Sequence, residues 1–452
     1  MSRTRVRHRN LLGTTIANGR LEFIAVLGIG AYGVVYLARD TAHYLHRHRV
    51  GCGASAHPAA YAMATYGSAS SGYYAVKCLN KHGLDARQRV FQRRETLLHT
   101  MTSGHPNVVT LHRVFDSPND PYAFIVLEYC ADGDLFAMIT EVQKYTVPTE
   151  PYVADPAWAD GRPLPESKEY VAERLSMDSV IKNVFDQILS AIEHCHSLGI
   201  YHRDIKPENI LCGEHGMHMY LADFGLATGE RYSSDFGCGS SFYMSPECQG
   251  GIYRRIERYS TAANDVWSLG VILVNLICGR NPWREATLAD ETFREFLANP
   301  NFLLEILPIS NAVNDILKRV FCTDEAKRCT LGQLRAWMRA VPSLTASNFE
   351  LWRRQQANLA QLSLPNVPQV PSLQVQKANI QSPITIPGAS TPTSDSPGST
   401  PPAGTSEQDS HSSQSTGTYP LTPTSADAQM RTMEKAKEQQ LVRLIDGTVL
   451  GT

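Results

Sequence analysis

Two short motifs limit what this chain of 452 residues can be more than any other feature of its sequence. The first is His-Arg-Asp-Ile-Lys-Pro-Glu-Asn at residues 202–209, and the second is Asp-Phe-Gly at residues 223–225. Phosphoryl transfer needs mainly positioning and charge stabilisation, and these residue types supply both. Either motif alone can arise by chance, but a structural loop is not expected to hold the two together. The side chains with chemical roles are a proton acceptor (Asp204), a cation (Lys206) and two oxygen donors for a metal ion (Asn209 and Asp223).

A glycine-rich turn, Gly-Ile-Gly-Ala-Tyr-Gly at residues 28–33, lies upstream between two apolar runs. Glycine has no β-carbon, so such a loop can fold over a triphosphate and bring backbone N–H groups close to its oxygens. Taken alone, the pattern also fits a dinucleotide-binding turn or a bare hairpin. Val34 and Val35 favour a strand after the last glycine, where a dinucleotide site would have a helix. With the two downstream motifs, the turn indicates a triphosphate site.

With these motifs, the chain resembles the eukaryotic protein kinases from about Ile16 to about Val341. Lys206 is similar to the lysine of the serine/threonine branch, since the tyrosine-specific branch places an arginine nearby. The resemblance implies an α+β fold of two lobes, with a β-rich N-lobe and a mainly helical C-lobe. It also implies transfer of the γ-phosphate of ATP to Ser or Thr hydroxyls of protein substrates, with ATP and Mg²⁺ as cofactors and Mn²⁺ as a possible substitute.

The same resemblance assigns roles to the motif residues. Asp204 would be the catalytic base that accepts the proton of the substrate hydroxyl, and Lys206 would neutralise the transferring phosphoryl group. Asn209 and Asp223 would hold magnesium. Within the superfamily, segment 236–248 is most similar to a fungal group of kinases that regulates mating, meiosis and nutrient responses, which indicates a role in intracellular signalling.

The strand-like run Tyr73–Leu79 contains Lys77, which resembles the lysine that contacts the α- and β-phosphates. In the family a glutamate on the following helix supplies the counter-charge, and the one-sided helix predicted over 84–101 contains Glu95. The alternative is that Glu95 is a solvated helix charge paired with a neighbouring arginine.

The run at residues 125–130 resembles the hinge between the lobes, where adenine would hydrogen-bond to the backbone of Glu128 and Cys130. Leu127 would close the back of the adenine pocket. Asp134 resembles the ribose contact, although an acid that favours a helix N-terminus is an equally good explanation. The implied ATP-binding residues are Leu27, Gly28, Gly30, Gly33, Val35, Ala75, Lys77, Glu95, Glu128, Cys130 and Asp134.

Residues 223–247 resemble the family's activation segment. Arg203 is similar to the arginine that binds a phosphorylated activation loop through charge-assisted hydrogen bonds, and the hypothetical phosphosite is Ser233 or Ser234. The alternatives are a plain ion pair at Arg203 and a serine-rich loop without regulation.

Three further residues resemble the family's structural supports. Glu247 is expected to pair with Arg328, and Asp265 is expected to open a long apolar helix. The part of that helix at 266–278 is too short and too interrupted to span a bilayer, so we predict that it is the buried central helix of the C-lobe and that the chain has no membrane span.

The domain organisation follows from composition and resemblance. Asp178 is a suitable N-cap for a helix predicted over 180–198. The long insertions should be surface loops, and the Pro- and Ser-rich composition of the tail cannot bury enough apolar surface to order it. The predicted parts are a basic extension (1–15), a kinase domain (16–342), a helical extension (343–363), and a disordered tail (364–452) with a possible short helix at 430–445. Within the kinase domain we expect the N-lobe at about 16–127, an insertion at 43–72, the C-lobe at about 131–342 and a second insertion at 144–168.

Composition excludes several classes of protein. The net charge of -2, from 42 basic and 44 acidic side chains, gives no electrostatic case for specific nucleic-acid binding. Ten cysteines without C-x-x-C pairs indicate reduced thiols in the cytoplasm or nucleus. We expect a monomer. The alternative functions are a catalytically weak pseudokinase scaffold and, less favoured, a small-molecule phosphotransferase of the same fold.

Overall fold

The computed structural model describes residues 10–362 except 31–32, 43–71, 85, 149, 151–152 and 159. The basic extension before residue 10, nearly all of the insertion at 43–72, the tail at 364–452 and its short helix at 430–445 therefore lie outside the described residues.

The N-terminal part of the described chain forms an antiparallel sheet in the strand order β1-β2-β3-β4-β6-β5. The predicted strands on both sides of the glycine turn and around Lys77 are confirmed. The six strands are β1 (Thr15–Ile16), β2 (Leu21–Ile29), β3 (Gly33–Asp40), β4 (Tyr73–Asn80), β5 (Leu111–Phe115) and β6 (Tyr122–Glu128).

The two faces of this sheet differ because successive side chains of a strand point to opposite sides. One face buries an apolar cluster that includes Phe23, Tyr36 and Val76, together with Leu11 from the segment before β1. Full burial of such a side chain contributes about 1.5–3 kcal/mol. The opposite face holds Lys77, which is paired in register with Val35 on β3 and Ile125 on β6.

The rest of the described chain is mainly helical, which confirms the α+β class with a β-rich first part. The described helices are α1 (Ala86–Thr102), α2 (Leu135–Thr140), α3 (Lys168–Ser197), α4 (Thr261–Cys278), α5 (Glu291–Ala298), α6 (Phe302–Ile306), α7 (Asn311–Val320), α8 (Leu331–Ala340) and α9 (Asn348–Leu362). Two short antiparallel pairs join β7 (Ile210–Gly213) to β8 (His218–Leu221) and β9 (Tyr232–Ser233) to β10 (Tyr259–Ser260).

Helix α4 is the centre of the helical part, as predicted. By length and composition this helix is long and apolar enough to cross a membrane, so our argument that it is too short was wrong. However, 83% of it is buried among the other elements. Trp267 lies within ring-contact distance of Trp283, Phe293 and Phe321. This extensive burial is typical of the core helix of a globular domain.

The prediction that Asp178 caps a helix is wrong. Helix α3 begins ten residues earlier, at Lys168, where the Ser167 hydroxyl accepts a hydrogen bond of 3.2 Å from the backbone N–H of Tyr170. Asp178 lies buried inside α3, and its carboxylate accepts hydrogen bonds from the Ser343 hydroxyl at 2.9 Å and the Leu344 N–H at 2.8 Å. The nearby residues alone suggested a cap. The partners of this acid lie at the far end of the domain, so the local sequence does not reveal them.

Helix α4 packs closely enough on α7 to require glycine at one position. A β-carbon on Gly270 would collide with Val320 and lie 2.7 Å from the Phe321 ring. We predict that Gly270→Ala lowers the free energy of unfolding by about 1–3 kcal/mol, because an overpacked core must shift. Urea unfolding followed by tryptophan fluorescence measures this.

The matched control is Gly332→Ala in α8, where nothing lies within 4 Å of an added β-carbon. There the substitution should raise stability by up to about 1 kcal/mol through helix propensity. Equal stability of the two variants would contradict the packing at Gly270.

Candidate functional site

Lys77 joins three separate elements. Its ammonium on β4 contacts the Glu95 carboxylate on α1 and lies 3.0 Å from Asp223 Oδ1 in the loop after β8. Lys77 and Glu95 are mostly buried, while the Asp223 side chain is about half exposed. Glu95 is therefore not a solvated surface charge.

The pKa values of this group follow from the balance of burial and charge. Burial alone would lower the pKa of Lys77, but the carboxylates of Glu95 and Asp223 raise it above its ordinary value. Burial alone would raise the pKa of Asp223, but the Lys77 ammonium lowers it below its ordinary value. Both side chains are thus held in their charged forms.

A second polar cluster surrounds Asp204. Asp204 Oδ2 accepts hydrogen bonds from Lys206 Nζ at 2.8 Å and from Asn209 Nδ2 at 3.0 Å. Asp204 Oδ1 is buried and has no hydrogen-bond partner among the described residues. A buried carboxylate oxygen without a donor carries a free-energy cost.

The orientation of Asn209 leaves an oxygen available. Its Nδ2 donates both to Asp204 Oδ2 and to the Asp204 backbone carbonyl, the latter at 2.8 Å. Since both partners are acceptors, the nitrogen of the amide is identified and its oxygen faces other groups.

The donor set suits a hard divalent cation. The Asn209 amide oxygen and the Asp223 carboxylate are the oxygen ligands that Mg²⁺ prefers, and Mg²⁺ commonly takes only one or two carboxylates, with waters and substrate phosphates completing its shell. Among the described residues, no group of three or more His, Cys, Asp or Glu side chains could hold a metal ion by itself. The residues therefore fit a metal that arrives with a nucleotide.

Asp265 holds the loop that contains Asp204. Its two carboxylate oxygens accept hydrogen bonds from the backbone N–H groups of His202 at 2.9 Å and Arg203 at 2.8 Å. Arg203 has a positive φ of 65°, a strained conformation that must be fixed by its surroundings. Asp265 does not open α4 as expected: Ser260 is the N-cap, and Asp265 lies inside the first turns, fully buried.

Phe224 links helix α1 to both loops. Its ring is fully buried, stacks on His99 of α1 with centroids 4.8 Å apart, and meets the His202 ring at 5.2 Å. Burial lowers the pKa of His99 to about 4, so the ring is neutral at pH 7 and its Nε2 donates to the Val109 carbonyl at 2.8 Å. Sequence reasoning missed His99, since no local pattern marks it.

The glycine turn and the neighbouring strands provide the other side of the site. Val35 and Lys77 are register partners, and Gly28 is the partner of Val35. Leu27 is about half exposed and Ala75 is buried. A β-carbon on Gly33 would collide with the Cys78 carbonyl. The close approach of β3 to β4 is therefore sufficient by itself to require glycine at this position. The tip of the turn, residues 31–32, lies outside the described residues.

The residues predicted to form the hinge lie at the end of β6 and just after it. The Glu128 side chain accepts a hydrogen bond from the Thr110 hydroxyl at 2.9 Å. The backbone N–H and C=O of Cys130 make no hydrogen bond with any described residue, which leaves both available to a ligand. Asp134 is the N-cap of α2 and accepts from the Ala137 N–H at 2.8 Å, so the helix-capping explanation of this acid holds in the structure.

Arg203 contacts the activation segment. Its Nε donates to the Leu226 carbonyl at 2.7 Å, and its Nη1 donates to the Ser233 hydroxyl at 3.1 Å and lies 3.4 Å from Asp235 Oδ2. Ser233 is buried by this contact, whereas Ser234 is exposed. Sequence reasoning missed Asp235, the carboxylate that faces Arg203.

Glu247 and Arg328 form a buried pair at the end of the activation segment. The two guanidinium nitrogens contact both carboxylate oxygens, with Nη2 to Oε2 at 3.0 Å. Arg328 also donates to the backbone carbonyls of Cys322 and Ala263. Arginine suits this place because its planar fork matches a carboxylate and leaves donors for further bonds.

Comparison with known proteins identifies related sequences. The family model described as "Protein kinase domain" matches residues 44–338. The Schizosaccharomyces pombe "Negative regulator of sexual conjugation and meiosis" is 40% identical over 353 residues, covering 74% of this chain and 63% of the relative. The Saccharomyces cerevisiae "Serine/threonine-protein kinase SKS1" is 34% identical, covering 56% and 46%, and the S. pombe "Serine/threonine-protein kinase ksp1" is 32% identical, covering 62% and 52%. The chain spans between 46% and 63% of the length of these relatives.

The buried His99 predicts a pH dependence of stability. Its pKa falls from 6.5 to about 4 on folding, so the unfolded chain binds more protons between these values and stability falls as the pH falls through this window. From pH 7 to pH 5 this histidine should cost the folded state about 2 kcal/mol. The variant His99→Gln keeps a hydrogen-bond donor for the Val109 carbonyl. Urea unfolding should show that this variant loses less stability than the wild type between pH 7 and pH 5, by that amount. The control is His82→Gln on the exposed surface; equal losses in the wild type and His99→Gln would contradict the prediction.

The contact between Arg203 and Ser233 predicts different effects of two adjacent serines. Ser233→Ala removes a hydrogen bond to a charged group, worth about 1.5–3 kcal/mol, and should loosen the activation segment. In dephosphorylated protein, limited proteolysis within residues 223–247 should be faster in Ser233→Ala and unchanged in Ser234→Ala. Equal cleavage rates in the two variants would show that Arg203 does not hold the segment through Ser233.

Proposed function

This chain belongs to the protein kinase domain family, and from that premise we propose that it transfers the γ-phosphate of ATP to Ser or Thr hydroxyls of protein substrates. The observation that carries the proposal is the polar cluster in which Lys206 and Asn209 both donate hydrogen bonds to Asp204 Oδ2. In this proposal the Asp204 carboxylate accepts the proton of a substrate hydroxyl as the hydroxyl oxygen attacks phosphorus.

Lys206 and Lys77 have separate roles in this mechanism. Lys206 Nζ lies 2.8 Å from Asp204 Oδ2 and would place a cation near the transferring phosphoryl group. Lys77, held by Glu95, would bind the α- and β-phosphates. Asn209 and Asp223 would hold Mg²⁺, which when bound neutralises phosphate charge.

The nucleotide would lie between the glycine turn and the hinge. Adenine would pair with the free backbone groups of Cys130 and with the carbonyl of Glu128, and the wall of the pocket would include Leu27, Val35 and Ala75. Asp134 already accepts the capping hydrogen bond of α2, so a hydrogen bond to a ribose would be an additional one. We therefore expect Asp134 to contribute little to nucleotide affinity.

The names of the relatives suggest a cellular role. We propose that the chain acts in signalling that restrains conjugation and meiosis, since its S. pombe relative is named as a negative regulator of both. Expression in S. pombe cells that lack this relative should restore the restraint, and Asp204→Asn should not. Restoration by Asp204→Asn would indicate a scaffold role instead.

The kinase activity is tested by transfer of labelled phosphate from Mg-ATP to a degenerate Ser/Thr/Tyr peptide library. Wild type should label Ser and Thr, and Asp204→Asn should lower the rate by about 10²–10⁴-fold because the proton acceptor is lost. Lys77→Met should lose transfer as well. The matched control is Lys81→Met, since Lys81 forms a more exposed ion pair with Asp116 at 2.8 Å that lies outside the site.

Two outcomes separate the alternatives. Transfer that disappears in Asp204→Asn and Lys77→Met but persists in Lys81→Met supports the proposal. No transfer by the wild type, with nucleotide binding intact, would favour the pseudokinase scaffold.

A further inference from the structure

An exposed group of aromatic side chains lies where the second insertion meets helix α9. Two backbone hydrogen bonds pair the two sides of this insertion: the Leu164 N–H donates to the Val153 carbonyl at 2.9 Å, and the Asp155 N–H donates to the Arg162 carbonyl at 2.7 Å. Trp158 lies between the paired residues. The described part of the insertion therefore holds Trp158 in a defined position.

Arg162 connects this tryptophan to α9. Its guanidinium lies 3.8 Å from the ring centroid of Trp158 and 5.8 Å from that of Trp352, distances at which a cation attracts an aromatic ring. Phe349 stacks on Trp352 with ring centroids 5.6 Å apart. We call Trp158, Arg162, Trp352 and Phe349 the aromatic strip. Since the Asp160 carboxylate lies 2.6 Å from the guanidinium, the charge of the strip is neutralised.

The strip is accessible from outside. Trp158 is 51% exposed and Phe349 is 46% exposed. The indole N–H of Trp158 makes no hydrogen bond with any described residue. Exposed aromatic side chains that contact one another, unlike single exposed apolar residues, mark a surface that another segment covers.

The chain directly after α9 has a sequence suited to this surface. Residues 364–372 lie outside the described part of the chain, and their sequence is Leu-Pro-Asn-Val-Pro-Gln-Val-Pro-Ser, three triplets that each begin with an apolar residue and a proline. Proline fixes φ at about −65°, and the residue before a proline is restricted to extended backbone. The repeat therefore predicts a polyproline II helix.

Such a helix has distinct edges, because with three residues per turn every third side chain points the same way. One edge is apolar and one is polar. The apolar edge consists of Leu364, Val367, Val370 and Leu373, and the polar edge of Asn366, Gln369 and Ser372. Residues 363–376 include no charged side chain, which suits the neutralised strip.

The segment is long enough to reach the strip. Trp352 lies about 15 Å along α9 from the end of that helix at Leu362. A polyproline II helix rises about 3.1 Å per residue, so residues 364–373 extend over about 28 Å and cover the strip when the chain turns back after α9. Because the repeat follows α9 so closely, its effective concentration is on the order of millimolar, an advantage that no separate protein has.

We propose that residues 364–373 dock on the aromatic strip of the same chain as a polyproline II helix. The apolar edge packs on the rings of Trp158 and Phe349, as proline-rich peptides pack in aromatic-lined grooves. A polyproline II backbone has no internal hydrogen bonds, so its carbonyls can accept from the Trp158 indole N–H. Since the prolines already restrict the free segment, docking orders little additional backbone.

The test is fluorine NMR of the full 452-residue chain labelled with 5-fluorotryptophan. The chain has five tryptophans, and single Trp→Phe variants assign their signals. Trp158 and Trp352 report on the strip. Trp267 and Trp283 are buried in the core of the helical part, so their signals report on the fold.

The double variant Val367→Asp/Val370→Asp places two charges on the apolar edge and should undock the segment, because a carboxylate cannot be buried against aromatic rings without a large cost. We expect the signals of Trp158 and Trp352 to shift. The H2O/D2O isotope shift of the Trp158 signal should increase as its ring becomes more exposed.

The matched control is Asn366→Asp/Gln369→Asp, which places the same two charges on the polar edge and should leave all five signals unchanged. The proposal would be overturned by strip signals that do not differ between the wild type and Val367→Asp/Val370→Asp, by an equal change in the control, or by a change that includes Trp267. Strip signals of the wild type that depend on protein concentration would also contradict it, since the docked segment would then come from a second copy.

Discussion

The ion-pair group of Lys77 is the interaction on which the rest of the site depends. A lysine on a strand, a glutamate on a helix and an aspartate from a distant loop meet around one ammonium. A mostly buried charge is costly unless it is paired, so the sheet, helix α1 and the loop at Asp223 are held in one arrangement. Phe224, packed between His99 and His202, makes the same connection with apolar surface. The positions of the phosphate-binding and proton-accepting groups are therefore linked.

Buried polar residues of the helical part hold the loops of the site in place. Asp265 fixes the backbone of residues 202–203, and Arg328 fixes Glu247 at the end of the activation segment. Arg203 and Asp223 both have positive φ values, of 65° and 59°, which side chains other than glycine adopt at a cost. Such conformations persist because the surrounding contacts allow no other.

Much of the fold and site was predictable where the signal is local or carried by a family motif. Apolar patterns predicted the strands around residues 28–33 and Lys77, the helix with Glu95, and the buried helix α4. The structure contains all of them. Predictions failed where a residue's partner is distant in the chain: Asp178 was taken for a cap because its partners at Ser343 and Leu344 cannot be read from nearby residues. Asp265 was placed at the start of its helix for the same reason. His99 and Asp235 were missed because they lack any spacing pattern.

The most direct test of this account is a double-mutant cycle of Mg-ATP affinity with Lys77→Met, Glu95→Gln and the double variant. If Glu95 acts by holding Lys77, Glu95→Gln should weaken binding by about tenfold in the wild-type background and have almost no effect in Lys77→Met, since residues in contact are not additive. The same loss in both backgrounds would show that Glu95 acts independently of Lys77, and would contradict the central place given to this ion-pair group.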